Sequence, residues 1–529
     1  MKNLKYGLAV ALLGSASHAF AQYQVDALRF SQTQPAGTAR TLGSGGANVA
    51  VGADLGNLVT NPAGLGLYQR SEFSFTPGLG LGNTDARAFG NTNTDSRNSL
   101  HVASFGAAFT NRRPDSDGNP WRGGTFALGL TRINDFNQSF RYRGLARGAS
   151  SVDANGNETP DGQNVLNYFG RGITGAQATD FDELAYQTYL LEEDNRNRYV
   201  PADYLSSRTR ALDQDETVLT TGSQTQFDFG YGANYRDKLY IGGAIGIVST
   251  RYNSTATLTA ADPTPVNPND GGGAFGSLTY RETLQVRGSG INARIGAIYR
   301  VADAVRVGAS VQTPTYMQLS ETYGASMDVR YNFPINVGTA TNPRIISSAS
   351  HTLDPGEFDY VLTSPFRASG GVAVVVGKNG FLSGDVEYVN YGQARLSNTD
   401  ANDGASSGGN YNFGPDNDAV RSLYRSTVNL RLGGELRFDI FRLRAGYARY
   451  GDPYQASDYD RTQNYVTGGA GIRQKNFFLD VAGVYGTSKR FYTPYSFSNA
   501  NGSTDTNRTP VVNVDANRYT TSITAGFLF

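Results

Sequence analysis

From about residue 71 to the last residue, apolar and polar positions alternate with period two, in runs separated by turn-forming segments. Leu239, Ile241, Ile245 and Ile247 share one face of such a run. Val428, Leu430, Leu432, Leu436 and Phe438 share another, opposite Thr427, Asn429, Arg431, Glu435 and Arg437. Phe441, Leu443, Ala445 and Tyr447 face away from Arg442 and Arg444, and Phe477, Leu479, Val481 and Tyr485 continue the pattern. Successive side chains of a strand point to opposite faces, so each run predicts a strand with one apolar face. Such runs begin near Ser71, Leu100, Gly124, Thr225, Lys238, Thr279, Ala304, Glu357, Gly380, Tyr424, Phe441, Thr462, Asn476 and Asn517. That is about fourteen, and single-chain bacterial barrels use even numbers.

The links separate a membrane barrel from a soluble sheet. Short links fall near Arg236-Asp237, Val301 to Asp303, Lys378-Asn379, Asp439-Ile440 and Arg473 to Lys475. Long links fall near 83–99, 144–222, 259–278, 332–356, 399–422, 452–461 and 493–516. Short and long alternate, apart from a longer link at 111–122 where a short one is expected. Short periplasmic turns and long outer loops are the asymmetry of outer-membrane barrels, whose apolar faces meet lipid and whose polar faces line the lumen. A solenoid would show a fixed repeat instead. Tyr519, Thr521, Ile523, Ala525, Phe527 and Phe529 alternate to the end of the chain, as a closing strand does. The expected fold is all-β: a transmembrane antiparallel β-barrel of about 14 strands over residues 71–529, with an N-terminal hatch in the lumen. In the longest loop, 144–222, Phe181, Leu184, Ala185, Thr188 and Leu191 have helical spacing and predict a short amphipathic helix.

Composition agrees. Gly is 64 of 529 residues, mean hydropathy is −0.40, and hydrophobic residues are 39%. Helical membrane spans need repeated apolar runs of about 20 residues, which this sequence lacks. Lys+Arg and Asp+Glu are both 46, so there is no basic footprint for nucleic acid. With Cys 0, thiolate metal sites, disulfides and cysteine nucleophiles are excluded, and His101 and His351 are too few for a His-rich metal site. No nucleophile elbow or P-loop is present, so neither an enzyme nor a cofactor or metal is called for. Residues 1–21 read as a signal peptide: Lys2 and Lys5, an apolar core from Tyr6 to Leu13, and Ala19-Phe20-Ala21 before a mature end at Gln22. The expected address is the outer membrane of a Gram-negative bacterium.

Residues 22–70 lack alternation and are rich in Gly and Ala, including the run Gly43-Ser44-Gly45-Gly46-Ala47-Asn48, then Asp54 and Asn61-Pro62-Ala63. A fourteen-stranded wall encloses more space than its side chains fill, so this segment is expected inside the lumen as a hatch. Here the sequence resembles the FadL/TodX family of outer-membrane transport proteins for hydrophobic compounds. The Asn61-Pro62-Ala63 hatch motif, Val305 to Leu319 with its Thr-Pro step, Phe381 to Leu396, and Leu430 to Tyr454 with Arg444-Ala445-Gly446-Tyr447 carry the likeness. The resemblance implies a passive channel for long-chain fatty acids or aromatic hydrocarbons, working by ligand binding, hatch movement and lateral exit through the wall. Its partners would be the hydrophobic solute, outer-membrane lipid and lipopolysaccharide, the barrel being a monomer. The alternative is a FadL-like barrel acting as an accessory in protein secretion.

A side opening needs an interrupted ladder. By resemblance it belongs beside the third strand, where alternation fails at Asn134, Asp135 and Phe136, with Asn61 and Ala63 touching the wall nearby. Gly288 and Gly290 are the second candidate, because the apolar parity switches from Leu284 and Val286 to Ile291 and Ile295, which predicts a bulge. Pro314 and Pro365 also fall in strands and cannot donate to a ladder. If the solute is an acid, a lumen cation should meet it. Parity turns Arg287, Arg294, Arg431, Arg437 and Arg444 inward as candidate contacts.

Overall fold

The computed structural model describes residues 23–529 except 115, 152–160, 170–172, 175–177, 203–208, 271, 400–410, 458 and 498–504. The expected leader, residues 1–21, lies outside the described residues. Fourteen antiparallel strands close into a barrel. They are β1 (Glu72–Ala88), β2 (Asn91–Arg112), β3 (Trp121–Asp135 and Gln138–Ala146), β4 (Leu212–Tyr235), β5 (Leu239–Ala261) and β6 (Phe275–Ala302). β7 (Val305–Gln312 and Tyr316–Asn336) and β8 (Ile345–Thr352, Gly356–Thr363 and Arg367–Val375) follow, then β9 (Gly380–Asn390 and Arg395–Asn398). β10 (Ser426–Phe438), β11 (Phe441–Tyr450), β12 (Gln463–Arg473), β13 (Phe477–Tyr492) and β14 (Val512–Leu528) complete the wall. Closure runs from Glu72↔Leu528 to Arg87↔Asn513, so no strand edge is left at the seam.

The apolar face points outward. Phe73, Phe75, Ile241, Ile245, Ile291, Leu430, Leu432, Leu443 and Ile523 are all exposed on the wall. On β6 the exposed apolar positions run from Ile291 to Val301. That is roughly 34 Å along the strand and, at a tilt of about 40°, roughly 26 Å of membrane, matching the usual apolar band of about 25 Å.

The strands are longer than that band, and the extensions were not legible. The expected long link at 83–99 is a Phe89-Gly90 turn, with Asn83↔Ser96 and Arg87↔Thr92 paired on either side. Likewise β4 begins at Leu212, within the expected 144–222 loop. Above the membrane both strand faces meet polar surroundings, so alternation disappears while pairing persists. The amphipathic segment forms a helix, Asp180–Gln187, started by a Thr179/Asp182 capping box.

Gly288 and Gly290 show no weakness in the wall. Gly288 pairs with Thr250 and Leu319, and Gly290 with Val248 and Met317, without a register shift. Even-numbered β6 residues face inward throughout. Leu284 and Val286 are apolar because they meet an apolar cluster inside the barrel mouth, so the inner surface changes character and the strand does not bulge. Pro314 and Pro365 interrupt β7 and β8 at matching heights, yet Gln312↔Arg367 and Tyr316↔Thr363 keep the register across the interruption.

Residues 23–70 are enclosed by the strands and nearly all buried. Their backbone is satisfied by inward side chains around the wall. The Ala39 amide donates to Thr524 Oγ1 on β14 (2.8 Å), and the Val49 amide to Asp385 Oδ2 on β9 (2.9 Å). Ser383 Oγ donates to the Ala47 carbonyl (2.9 Å), Arg306 to the Val51 carbonyl (3.1 Å) and Arg294 Nη1 to the Leu58 carbonyl (2.5 Å). Within the segment, Asp54 collects the hydroxyls of Thr38 and Thr41 and the Gly56 amide. Asp26 is fully buried, accepting from Tyr360 Oη (2.8 Å) and pairing with Arg29, and burial pushes its carboxyl above the usual range.

Part of the glycine excess has its reason here. A Cβ on Gly433 would lie 2.0 Å from the Ser44 carbonyl oxygen, and one on Gly446 would lie 2.3 Å from the Gly45 nitrogen. These wall glycines let the enclosed backbone lie directly against the strands. Gly446→Val is expected to lower barrel stability by about 1–3 kcal/mol, as overpacking does. Gly483→Val, at a position with nothing within 4 Å, is expected to change it little. Urea unfolding of the two variants in detergent checks this, and equal losses would contradict the close-approach account.

Candidate functional site

The wall has an interruption where β3 leaves β2. The β2–β3 ladder runs from Arg112↔Gly123 to Ser104↔Thr131 and, among the described residues, stops there. Beyond it β2 pairs only with β1, and β3 only with β4. Three local features set the level of the break. Pro77 on β1 has no amide proton to donate. The β1–β2 register shifts beside it, from Thr76↔Ser104 to Pro77↔Val102, leaving Ala103 over as a bulge. The β3–β4 register shifts between Arg132 and Asn134, leaving Ile133 over. Two bulges on facing strands re-aim both backbones at one height.

Past Asp135 the strand breaks and its upper half, Gln138–Ala146, meets the β1–β2 hairpin through side chains instead of a ladder. Thr84 Oγ1 donates to the Ser139 carbonyl (2.6 Å), Ser139 Oγ to Asp95 Oδ2 (2.5 Å) and Asn91 Nδ2 to the Arg143 carbonyl (3.1 Å).

Asn134, Asp135 and Phe136 sit at this break. Asp135 accepts from Arg132 (2.9 Å), from Arg518 on β14 (3.0 Å) and from the Asn137 amide (2.8 Å). Arg518 Nη2 also donates to the Asn137 carbonyl (3.0 Å) and reaches Ser99 Oγ on β2 (3.5 Å), so one guanidinium spans the interruption. Asn134 Nδ2 donates to the Gln32 carbonyl (3.0 Å), and the Gln34 amide to the Ile133 carbonyl (3.0 Å). The enclosed segment is thus bonded to the bulge itself. Phe136, Phe30 and Tyr252 form an edge-to-face trio with centroids 5.4–6.1 Å apart.

Beside the break lies a cavity of about 720 Å³. Leu28, Phe136, Phe140, Phe181, Tyr252 and Leu284 supply its apolar lining, and Arg97, Arg490 and Arg518 are among its cations. Arg490 stacks over Phe140 at 5.0 Å, and its Nε has no hydrogen-bond partner among the described residues. The Arg97 Nε is likewise buried without one.

The five arginines singled out by parity are elsewhere. Arg287 is exposed on the outer face, because β6 turns its odd positions outward. Arg431 pairs with Glu387 (3.1 Å), Arg437 with Glu435 (2.8 Å), and Arg444 with Glu435 (2.7 Å) and Asp480 (2.6 Å). Arg294 binds the Leu58 carbonyl (2.5 Å) and Gln312 (2.6 Å). These four hold the wall and the enclosed segment together and do not line the cavity.

The Asn61-Pro62-Ala63 contact also differs from expectation. Asn61 caps the turn at Ala63 (3.1 Å) and donates from Nδ2 to the carbonyls of Val49 (2.8 Å) and of Ala297 on β6 (3.2 Å). Ala63 packs with Leu67, Tyr240 and Ile298. The tripeptide therefore rests on β5 and β6, because a Cβ-free stretch at Gly242, where a Cβ would lie 2.4 Å from the Pro62 oxygen, receives it there. Residues 29–34, not 61–63, reach the β3 break. Pro77 inside an alternating run was the available sequence signal for that break. Arg490 carried none, since its face depends on a strand length that alternation does not show.

No family model and no curated protein matches the sequence. Solved structures do. A Pseudomonas aeruginosa FadL homologue is similar over 94% of this chain and 99% of its own, at 11% identity and a TM-score of 0.51. The Pseudomonas putida toluene transporter TodX covers the same shares at 12% identity and a TM-score of 0.49. The Ralstonia pickettii toluene transporter TbuX does so at 16% and 0.45. The barrel fold is shared with the first of these across nearly the whole chain, and the chain is an outer-membrane β-barrel.

Proposed function

We propose that this barrel is a passive channel for hydrophobic small molecules, with residues 23–70 acting as a movable plug. The observation that carries the reading is the interrupted β2–β3 ladder with an apolar-lined cavity beside it. An apolar solute is repelled by the polar sugar layer outside and gains nothing from a water-filled pore. A half-apolar cavity binds it, and a side exit delivers it to lipid without a return to water. The plug's bonds to Ile133 and Asn134 tie its position to the exit, so its displacement and the opening of the path are one movement. The likeness in fold to a FadL homologue supports the same reading. Long-chain acids and aromatic hydrocarbons are the solute classes that fit.

Proteoliposomes test it. The protein should speed entry of a radiolabelled long-chain fatty acid and of toluene, but not of a disaccharide of similar mass. Equal acceleration of the disaccharide would make it a general porin. A second expectation separates the solutes. Arg490→Met keeps the apolar stem but removes one of the cations facing the cavity, the one stacked over Phe140. It should reduce fatty-acid uptake about fivefold to tenfold, the size of an ordinary lost hydrogen bond of about 1 kcal/mol, and leave toluene uptake within about twofold. An equal loss for both solutes would assign Arg490 a structural role only.

A further inference from the structure

Arg287, turned outward on β6, lies directly opposite Arg251 on β5 in the ladder. Both are exposed, and neither has an ion pair or side-chain hydrogen bond among the described residues. Elsewhere on the outer wall this strand pairing brings opposite charges together: Arg87 with Asp515 (2.5 Å), Arg143 with Asp213 (2.5 Å) and Arg141 with Asp215. Like charges at directly opposed positions, with backbones about 5 Å apart, repel each other. Their direct neighbours on β4 and β7 are Ser223 and Ser320, and the row below holds Ser249 and Ser289.

Height fixes what meets this patch. Ile247 and Ile291 are the last exposed isoleucines of β5 and β6 on the long-loop side. The two arginines stand four residues beyond them, roughly 10 Å farther from the membrane centre at a strand tilt of about 40°. That is the head-group level of the outer leaflet, given the outer-membrane orientation with long loops outside. We propose that Arg251 and Arg287 form a binding site for a phosphate of the outer-leaflet glycolipid, the lipid A part of lipopolysaccharide. Two forked guanidinium groups suit a phosphate's oxygens, the serine hydroxyls suit its sugar, and the exposed isoleucines below suit its acyl chains. The bound phosphate cancels the repulsion between the arginines. The site is independent of the lumen path, so its failure would leave the channel reading untouched.

Native mass spectrometry and lipid titration of the full-length barrel in detergent test it, using purified lipid A and chemically dephosphorylated lipid A. The wild type should hold phosphorylated lipid A at least about tenfold more tightly than the dephosphorylated form. Arg251→Gln with Arg287→Gln should remove that difference. Arg236→Gln with Lys238→Gln, which removes two cations at the periplasmic turn, should keep it. Heat-modifiable migration on a gel shows that each variant is folded. Equal binding of both lipids by the wild type, an unchanged preference in the Arg251/Arg287 variant, or its loss in the periplasmic control would each overturn the proposal.

Discussion

Uptake of a labelled hydrophobic solute is expected to stop when Ser99→Cys on β2 and Asn137→Cys in the break between the two halves of β3 are joined by a short cleavable bis-maleimide, and to resume when the linker is cut. The chain has no native cysteine, so the label goes only where it is placed. The two positions are within reach of one guanidinium, Arg518, so a short linker spans them. A solute leaving here enters lipid directly, and burying a chain of about sixteen carbons gains roughly 12 kcal/mol at about 0.8 kcal/mol per CH₂. A lumen ion pair in contact with water contributes about 1 kcal/mol or less. Blocking the exit should therefore abolish uptake of charged and neutral solutes alike, while loss of Arg490 only changes the balance between them. Parental uptake by a folded, fully crosslinked variant would place the exit elsewhere.

Removing residues 23–70 is expected to turn a nearly closed barrel into an open pore. That segment fills the lumen side of the wall from β3 round to β14. Wider porins of 16–18 strands conduct through an open lumen, so a cleared fourteen-stranded barrel should conduct also, about tenfold or more above the parent. Single-channel recording in planar bilayers reads this directly. The deletion frees Arg294 and Arg306 from the carbonyls they hold, so a folding control is needed. Heat-modifiable migration supplies it, and the milder Gly446→Val should show intermittent openings in the same recordings. Parental conductance in a folded deletion variant would contradict the plug.

The membrane band was legible because lipid imposes one rule on every strand: apolar outward at alternate positions. Ile241 to Ile247 and Leu430 to Phe438 obey it, and all fourteen expected strands are present. Outside the band the rule lapses. Asn91 to Asn98 is as regular a strand as any, but its two faces both meet polar surroundings, so it read as loop. The misreading of β6 has the opposite cause. Leu284 and Val286 are apolar toward the lumen, and an apolar lumen imitates a change of face. Arg287 was then turned the wrong way. The wall break was partly legible, since lost alternation at Asn134 marks the β3 half. Its β2 half is signalled in the sequence by Pro77 alone, while the bulge at Ala103 opposite it needs the partner register. The four inward arginines are on the face that parity gives them, and the same parity offers them Glu387, Glu435 and Asp385 as lumen acids. Glu387 and Glu435 do pair with them, Asp385 instead takes the Val49 amide, and Asp480 on β13 is the partner that only the strand register reveals.

The lateral path itself is tested most directly by locating a solute. Crystals of the barrel grown with a bromine-tagged long-chain alkane should show anomalous density in the cavity between Phe140 and Tyr252, and again at the wall between Ser99 and Asn137. Bromine found only along the barrel axis below the plug, with the β2–β3 ladder continuous past Ser104, would contradict lateral exit.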